Sequence, residues 1–238
     1  MILIGTLPFD IEGTKRLEHI LEVLQPKRIT VQWPSSQSVD EIKSDILDER
    51  GFMMDTIASW GMEGKFYGVD IFPGIEKLYL DIVGQRYFEV AVPLEYAKRR
   101  GIEVFPVDHP DFRREHVADF MDGVRKEILS FSVRTLLRPY EDLRTTRMSR
   151  FDGLYTSPSL FQQWRAQLGE RQQSISPEER EQYMTKEISR RNPGVHIGGM
   201  VHVFQGFSDV LGVIPLYQRL GQERVHLKMS LYEATDLT

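Results

Sequence analysis

The sequence predicts an α/β fold, a mostly parallel sheet flanked by helices with a helical or lid-like insertion. Three observations carry that expectation. Short apolar runs at 1–5, 29–33, 103–107 and 195–203 have the length of buried strands, and amphipathic stretches separate them. Strand, helix and strand fit within the first 34 residues, the compass of a right-handed βαβ unit with parallel strands. The 238 residues suffice for one large domain with a sizeable core, so 1–238 reads as a single domain.

Each element has a local reason. Residues 1–5 form an apolar run that stops at Gly5. Asp10 is placed to cap a helix whose Leu17, Ile20, Leu21 and Leu24 follow a 3.6 period, with Pro26 just past its end. The strand at 29–33 is stopped by Pro34. Ser38 followed by Glu41 is a capping box for a further helix. Between Gly51 and Gly84 the expectation is helical segments joined by loops. Residues 87–100 read as a helix delayed or kinked by Pro93 and finished by Arg99, Arg100 and Gly101. Pro106 marks 103–107 as an edge strand or strand end. Residues 114–137 are amphipathic and helical, and 138–174, rich in Arg, Gln, Ser and Thr, reads as a mobile or lid region. Ser176, Pro177, Glu178 and Glu179 open a strong helix that runs to about Arg190. A turn at 192–194, a strand at 195–203, a helix at 207–220 and a strand at 224–232 complete the alternation.

Composition excludes several functions. Thirty Lys+Arg against 35 Asp+Glu give a net charge of −5, so no nucleic-acid partner is expected. The absence of cysteine removes disulfides, a thiolate nucleophile and Cys-ligated metals. The opening five residues lack a signal-peptide core and no apolar run is long enough to span a bilayer, so the expectation is a cytoplasmic protein with no membrane partner. P-loop, GxGxxG, GxSxG and HExxH motifs are missing.

In an open parallel sheet, ligands sit beyond the carboxyl ends of the strands. Those ends carry Gly5 to Pro8, Gln32 with Trp33, Asp108 with His109, and Gly199 with His202. His202 follows a glycine pair and is placed as a general base or metal ligand, or as a buried histidine closing its strand. Asp108 beside His109 suits a metal or acid–base pair if the strand has ended there, or a loop with an aspartate cap. Glu89 lies in the first turn of its helix, where an acid also serves the dipole. Arg180 lies in a first turn too, against the dipole, and needs Glu89, Asp108 or an anionic ligand as its partner. Trp33, Trp60 and the aromatic segment 66–72 read as core, and His19, His116, His196 and His226 as structural or surface histidines.

These pieces, in this order, resemble the TraB/PrgY–GumN–Tiki family, within a wider superfamily of ChaN-like haem-uptake and erythromycin-esterase-like proteins. The resemblance rests on Gly5-Thr6-Leu7-Pro8, on Val31-Gln32-Trp33-Pro34, on Glu89 with Ala97 and Gly101, and on Asp108-His109. It continues through Glu179-Arg180 with Met184, and Gly199-Met200-Val201-His202 with Gly206. It implies a metal-dependent hydrolase of a peptide or ester bond. Its metal ligands here would be His202, His109, Asp108 and Glu89, and its catalytic groups His202, Glu89 and Arg180, with Arg180 holding negative charge. The departures are Pro8 in place of the family's first histidine, Gln32 in place of a glutamate, and His109 in place of an arginine. Proline cannot ligate a metal and an amide is a poor substitute for a carboxylate.

Three functional expectations follow. One is a divalent-metal hydrolase with a rebuilt site. The second is an inactive relative that binds a peptide, haem or small molecule in the same crevice. The third is a protein-interaction module using Arg134, Arg138, Arg144, Arg147 and Arg150, a segment that also reads as a solvated face balanced by Glu141 and Asp142. A homo-oligomer is compatible with all three.

Overall fold

Apolar strands buried on both faces need helices above and below them, and the computed structural model has that arrangement. The structure describes residues 1–62, 73–112, 117–167, 175–209, 212–221 and 224–234. The strands are β1 (Ile2–Thr6), β2 (Arg28–Pro34), β3 (Glu103–Asp108), β4 (Val195–Gly199) and β5 (Leu227–Ser230). All pair in parallel, in the order β3-β2-β4-β1-β5. Pro106 therefore lies on an edge strand, where its missing N–H is tolerated.

Helices α1 (Gly13–Leu24) and α4 (Phe88–Arg100) cover one face. There Leu17, Ile20 and Leu21 pack with Ile4, Ile29, Val31, Val195 and Ile197. Adjacent strand residues point to opposite faces, so Leu3 and Val107 belong to a separate cluster under α9 (Pro177–Arg191) and α12 (Leu216–Leu220). The face changes because the direction of travel changes. From β1 to β2 to β3 the chain moves one way across the sheet, and from β3 to β4 to β5 it moves back. With right-handed crossovers, reversing direction reverses the face. β4, inserted between β2 and β1, thus leaves its carboxyl end toward one face while both neighbours leave toward the other. A crevice opens at such a switch point.

Two long connections carry an additional helical layer. α2 (Val39–Met62), α3 (Pro73–Gly84), α5 (Val117–Leu129) and α7 (Tyr140–Thr156) enclose a cluster that includes Met53, Ile57, Tyr79, Ile82, Met121 and Val124. α6 (Val133–Leu136) and α8 (Pro158–Gln167) flank α7. Among the described residues no helix is long and apolar enough to cross a membrane.

The capping chemistry matches expectation at two helices. Ser38 and Glu41 form a reciprocal capping box, and the Ser176 hydroxyl accepts from the Glu179 N–H at 3.2 Å. Pro93 lies inside α4, which starts at Phe88 and runs on to a left-handed Gly101.

Three expectations are corrected. Asp10 is not the cap of α1. It accepts from the Glu12 N–H at 3.0 Å, and the helix starts at Gly13. The described part of 138–174 is α7 and α8, which place Phe151, Leu154, Tyr155 and Phe161 in the core. The strand at 195–203 stops at Gly199, and α10 (Met200–Val203) follows. Met200 packs against bare backbone at Gly5, where a Cβ would lie 2.7 Å from its sulfur and 2.9 Å from Phe204. That close approach gives the helical turn its seat. The helix at 207–220 is two, α11 (Gln205–Ser208) and α12, because Pro215 stands at the start of the second. A final turn, α13 (Leu231–Ala234), follows β5. The aromatic segment 66–72 and His116 lie outside the described residues.

Replacing Ser176 by alanine removes the acceptor for one orphan N–H of α9. Urea unfolding should show a loss of about 1 kcal/mol.

Candidate functional site

α9 begins over the carboxyl ends of β3 and β2, and two consecutive residues of its first turns reach the sheet. Arg180 grips Asp108 with both arms of its guanidinium. Nε donates to Oδ1 at 2.7 Å and Nη2 donates to Oδ2. The guanidinium also lies 3.4 Å over the Phe112 ring. Asp108 is 1 % exposed and accepts a third bond from the His109 N–H at 2.8 Å. Arg180 is thus matched internally, which answers its placement against the helix dipole.

Glu181, the next residue, is fully buried and contacts His202 Nδ1 through Oε1. Sequence reasoning missed it. In the run Glu178, Glu179, Arg180, Glu181 it reads as one more acid near a helix N-terminus, and its partner is 21 residues away. A carboxylate on Nδ1 fixes the imidazole and leaves Nε2 as the basic nitrogen of the neutral ring. Among the described residues Nε2 makes no hydrogen bond, and Glu181 Oε2 is buried without a partner. His202 is itself 3 % exposed, on α10 rather than on a strand.

His196, expected to be structural or at the surface, is fully buried beside this pair. Its Nδ1 shares a 3.0 Å hydrogen bond with Thr30 Oγ1, while Nε2 has no partner among the described residues. Burial, with some contribution from nearby His202, pushes its pKa down to about 3, against the pull of Asp108. Gln32 completes the group. Its Oε1 accepts from the Gly199 N–H at 2.8 Å and pins the turn from β4 into α10. An acceptor is all that this turn requires of Gln32.

The side chains of the remaining predicted residues, His109 and Glu89, make no hydrogen bond to this group among the described residues. β3 does end at Asp108, so His109 has left the strand. Its Nδ1 accepts from the Asp111 N–H at 3.2 Å and its ring meets Tyr183 edge-on. Glu89, at the start of α4, has a buried Oε2 with no hydrogen-bond partner among the described residues. Burial raises its carboxyl above the usual range despite Arg86 and Arg50 nearby. Among the described residues no hydrogen bond or ion pair joins Glu89 to His202, Asp108 or Arg180.

The structure does not gather His202, His109, Asp108 and Glu89 into one group of ligands. Among the described residues no three His, Asp or Glu are grouped to hold a metal. Asp108 has both oxygens on Arg180, and His202 and His109 have Nδ1 engaged elsewhere. Three of the arginines in 134–150 have partners within the chain: Arg138 with Thr146 at the surface, Arg144 with Glu12 and Arg147 with Glu127.

On the other side of β4, toward β1 and β5, lies an open cleft of about 410 Å³. Tyr155, Met200, Phe204, Phe207 and Lys228 are among its lining residues, and His202 is not. Tyr155 holds the adjoining end of β1 in place. Its hydroxyl accepts from the Leu7 N–H at 3.2 Å and donates to Asp10 at 3.1 Å, and Asp10 is paired with Arg16 at 3.0 Å. Burial raises the Asp10 carboxyl, and Arg16 opposes that shift.

Two measurements check these assignments. Asp108→Asn leaves Arg180 without its counter-charge and should cost about 3 kcal/mol in chemical denaturation, part of it recovered by adding Arg180→Met. His196 protonates near 6.5 when unfolded but only near 3 when folded. The unfolded state therefore binds more protons between those values, and stability falls as pH drops from 6.5 toward 3, by up to about 1.4 kcal/mol per pH unit. The slope of unfolding free energy against pH should be shallower in His196→Gln.

Compared with protein-family models, curated proteins and solved structures, the chain has no match in any of the three.

Proposed function

We propose that the chain is a ligand-binding protein built on a TraB/PrgY–GumN–Tiki-like plan. It holds a small molecule or peptide at the carboxyl edge of its sheet without using a catalytic metal. One observation supports this reading above the others: both oxygens of Asp108 are taken by Arg180, and His202 Nδ1 is taken by Glu181. Ligation through Asp108 would strip Arg180 of its partner, and ligation through His202 Nδ1 would strip Glu181. Each would leave a charge buried without compensation, a cost of several kcal/mol.

The test is metal content. Tag-free protein is offered Mn, Fe, Co, Ni and Zn, dialysed, and assayed by elemental mass spectrometry. The expected result is no retained metal near one per chain. A near-stoichiometric metal that disappears in His202→Ala would overturn the proposal and restore the metallohydrolase.

A second reading draws on the Glu181–His202 pair. An imidazole fixed at Nδ1 can take a proton at Nε2 from a water attacking an ester or peptide carbonyl. In that reading ester turnover is abolished in His202→Ala and reduced in Glu181→Gln. Under the binding proposal the wild-type protein shows no turnover above buffer.

A further inference from the structure

Resting on the binding proposal, we infer that the cleft between the end of β5 and helices α7, α10 and α11 is the ligand site, and that it takes a compact organic anion with an apolar, aromatic-rich body. Its position is the first reason. It lies at the carboxyl edge beside β4, where adjacent strands send their chains to opposite faces. Its volume of about 410 Å³ suits a small molecule.

The floor is built for flat apolar contact. Met200 and Phe204 lie directly on the β1 backbone, and they can do so only because residue 5 is glycine. Gly206 does the same at the wall, where a Cβ would meet Pro158 at 3.0 Å. Phe204 and Phe207 stand edge to face, with ring centroids 6.3 Å apart, so one ring face and one ring edge are offered together. Three glycine positions of the family-like motifs, Gly5, Gly199 and Gly206, thus lie around the cleft and the turn beside it.

The charge of the ligand follows from Lys228. Its ammonium sits 3.5 Å over the Tyr217 ring and 5.8 Å from that of Phe204. No carboxylate among the described residues pairs with it. The other polar groups of the wall are already engaged. Glu233 Oε2 accepts from the Ser230 N–H at 2.8 Å and from its hydroxyl at 2.9 Å. The Tyr155 hydroxyl is bonded to Asp10 and to the Leu7 amide. A ligand therefore finds apolar and aromatic surface, one cation at the rim, and a carboxylate turned toward its own helix cap. An anionic head at Lys228 with its body on Phe204 and Phe207 matches that layout.

The experiment titrates the protein with two fluorescent probes, the anion 8-anilinonaphthalene-1-sulfonate and its neutral analogue N-phenyl-1-naphthylamine. Two variants accompany the wild type, both at exposed positions: Lys228→Glu, and Thr156→Phe, which fills the mouth. Thermal melting confirms that each is folded. The expected result is saturable binding of one anionic probe per chain. Lys228→Glu should weaken that binding about tenfold while changing the neutral probe little, and Thr156→Phe should weaken both. No saturable binding, or binding that both variants leave unchanged, overturns the inference. Metal content separates the two failures. A metal-free protein that binds no probe loses this cleft but keeps the binding proposal, whereas a retained metal removes the binding proposal itself.

Discussion

The paired charges that tie α9 to the sheet are the constraint on which the rest of the site depends. Arg180 and Glu181 are consecutive, yet one fixes the end of β3 and the other fixes α10 beyond β4. One helix thereby sets the spacing of two strand ends that are not neighbours in the sheet, since β2 runs between them. Gln32, at the end of that middle strand, closes the arrangement by holding the Gly199 amide. Each member has a partner with a shorter reach than a freely moving side chain would need. The cluster is thereby tied together, and the polar atoms it leaves unengaged among the described residues are Nε2 of His202, Nε2 of His196 and Oε2 of Glu181.

That bonding accounts for what the other strand ends carry. With Pro8 at the end of β1, no imidazole is delivered there, and the space is closed instead by Tyr155, Asp10 and Arg16. Gln32 is neutral, so the end of β2 carries no charge for Arg180 to share, and Asp108 receives it alone. Polar residues remain at these strand ends, but their bonds are directed to the backbone and to one another. A site with such bonding is costly to open and so suits a supporting role beside a cleft.

Much of the fold was legible because its signals are local. The apolar runs, the Ser38–Glu41 and Ser176 caps and the edge proline are each read within a few residues. What the sequence concealed depends on contacts across the chain. The end of β4 is decided by Met200 and Phe204 finding bare backbone at Gly5, almost two hundred positions earlier in the numbering. The packed state of α7 and α8 is decided by four large side chains in an otherwise polar segment. In the site, Asp108 with Arg180 was within the expected set. Glu181 and His196 were not, because burial rather than spacing gives them their roles. Glu89 was placed by analogy of motif, and the fold puts it among Arg50 and Arg86 instead.

The placement of β1 has a consequence for how the molecule comes to exist. Ile2 is paired with Val195 on one side and with Leu227 on the other. β1 is thus held on both sides by strands that follow it far along the chain. Until residues 195–230 have been made, β1 is an apolar ribbon with neither of its hydrogen-bonding edges covered. Long-range pairing of this kind slows folding and leaves such edges open to wrong partners. The capped helices between, above all α2 and α9, rest on local signals, but the sheet closes only once β4 and β5 have joined β1.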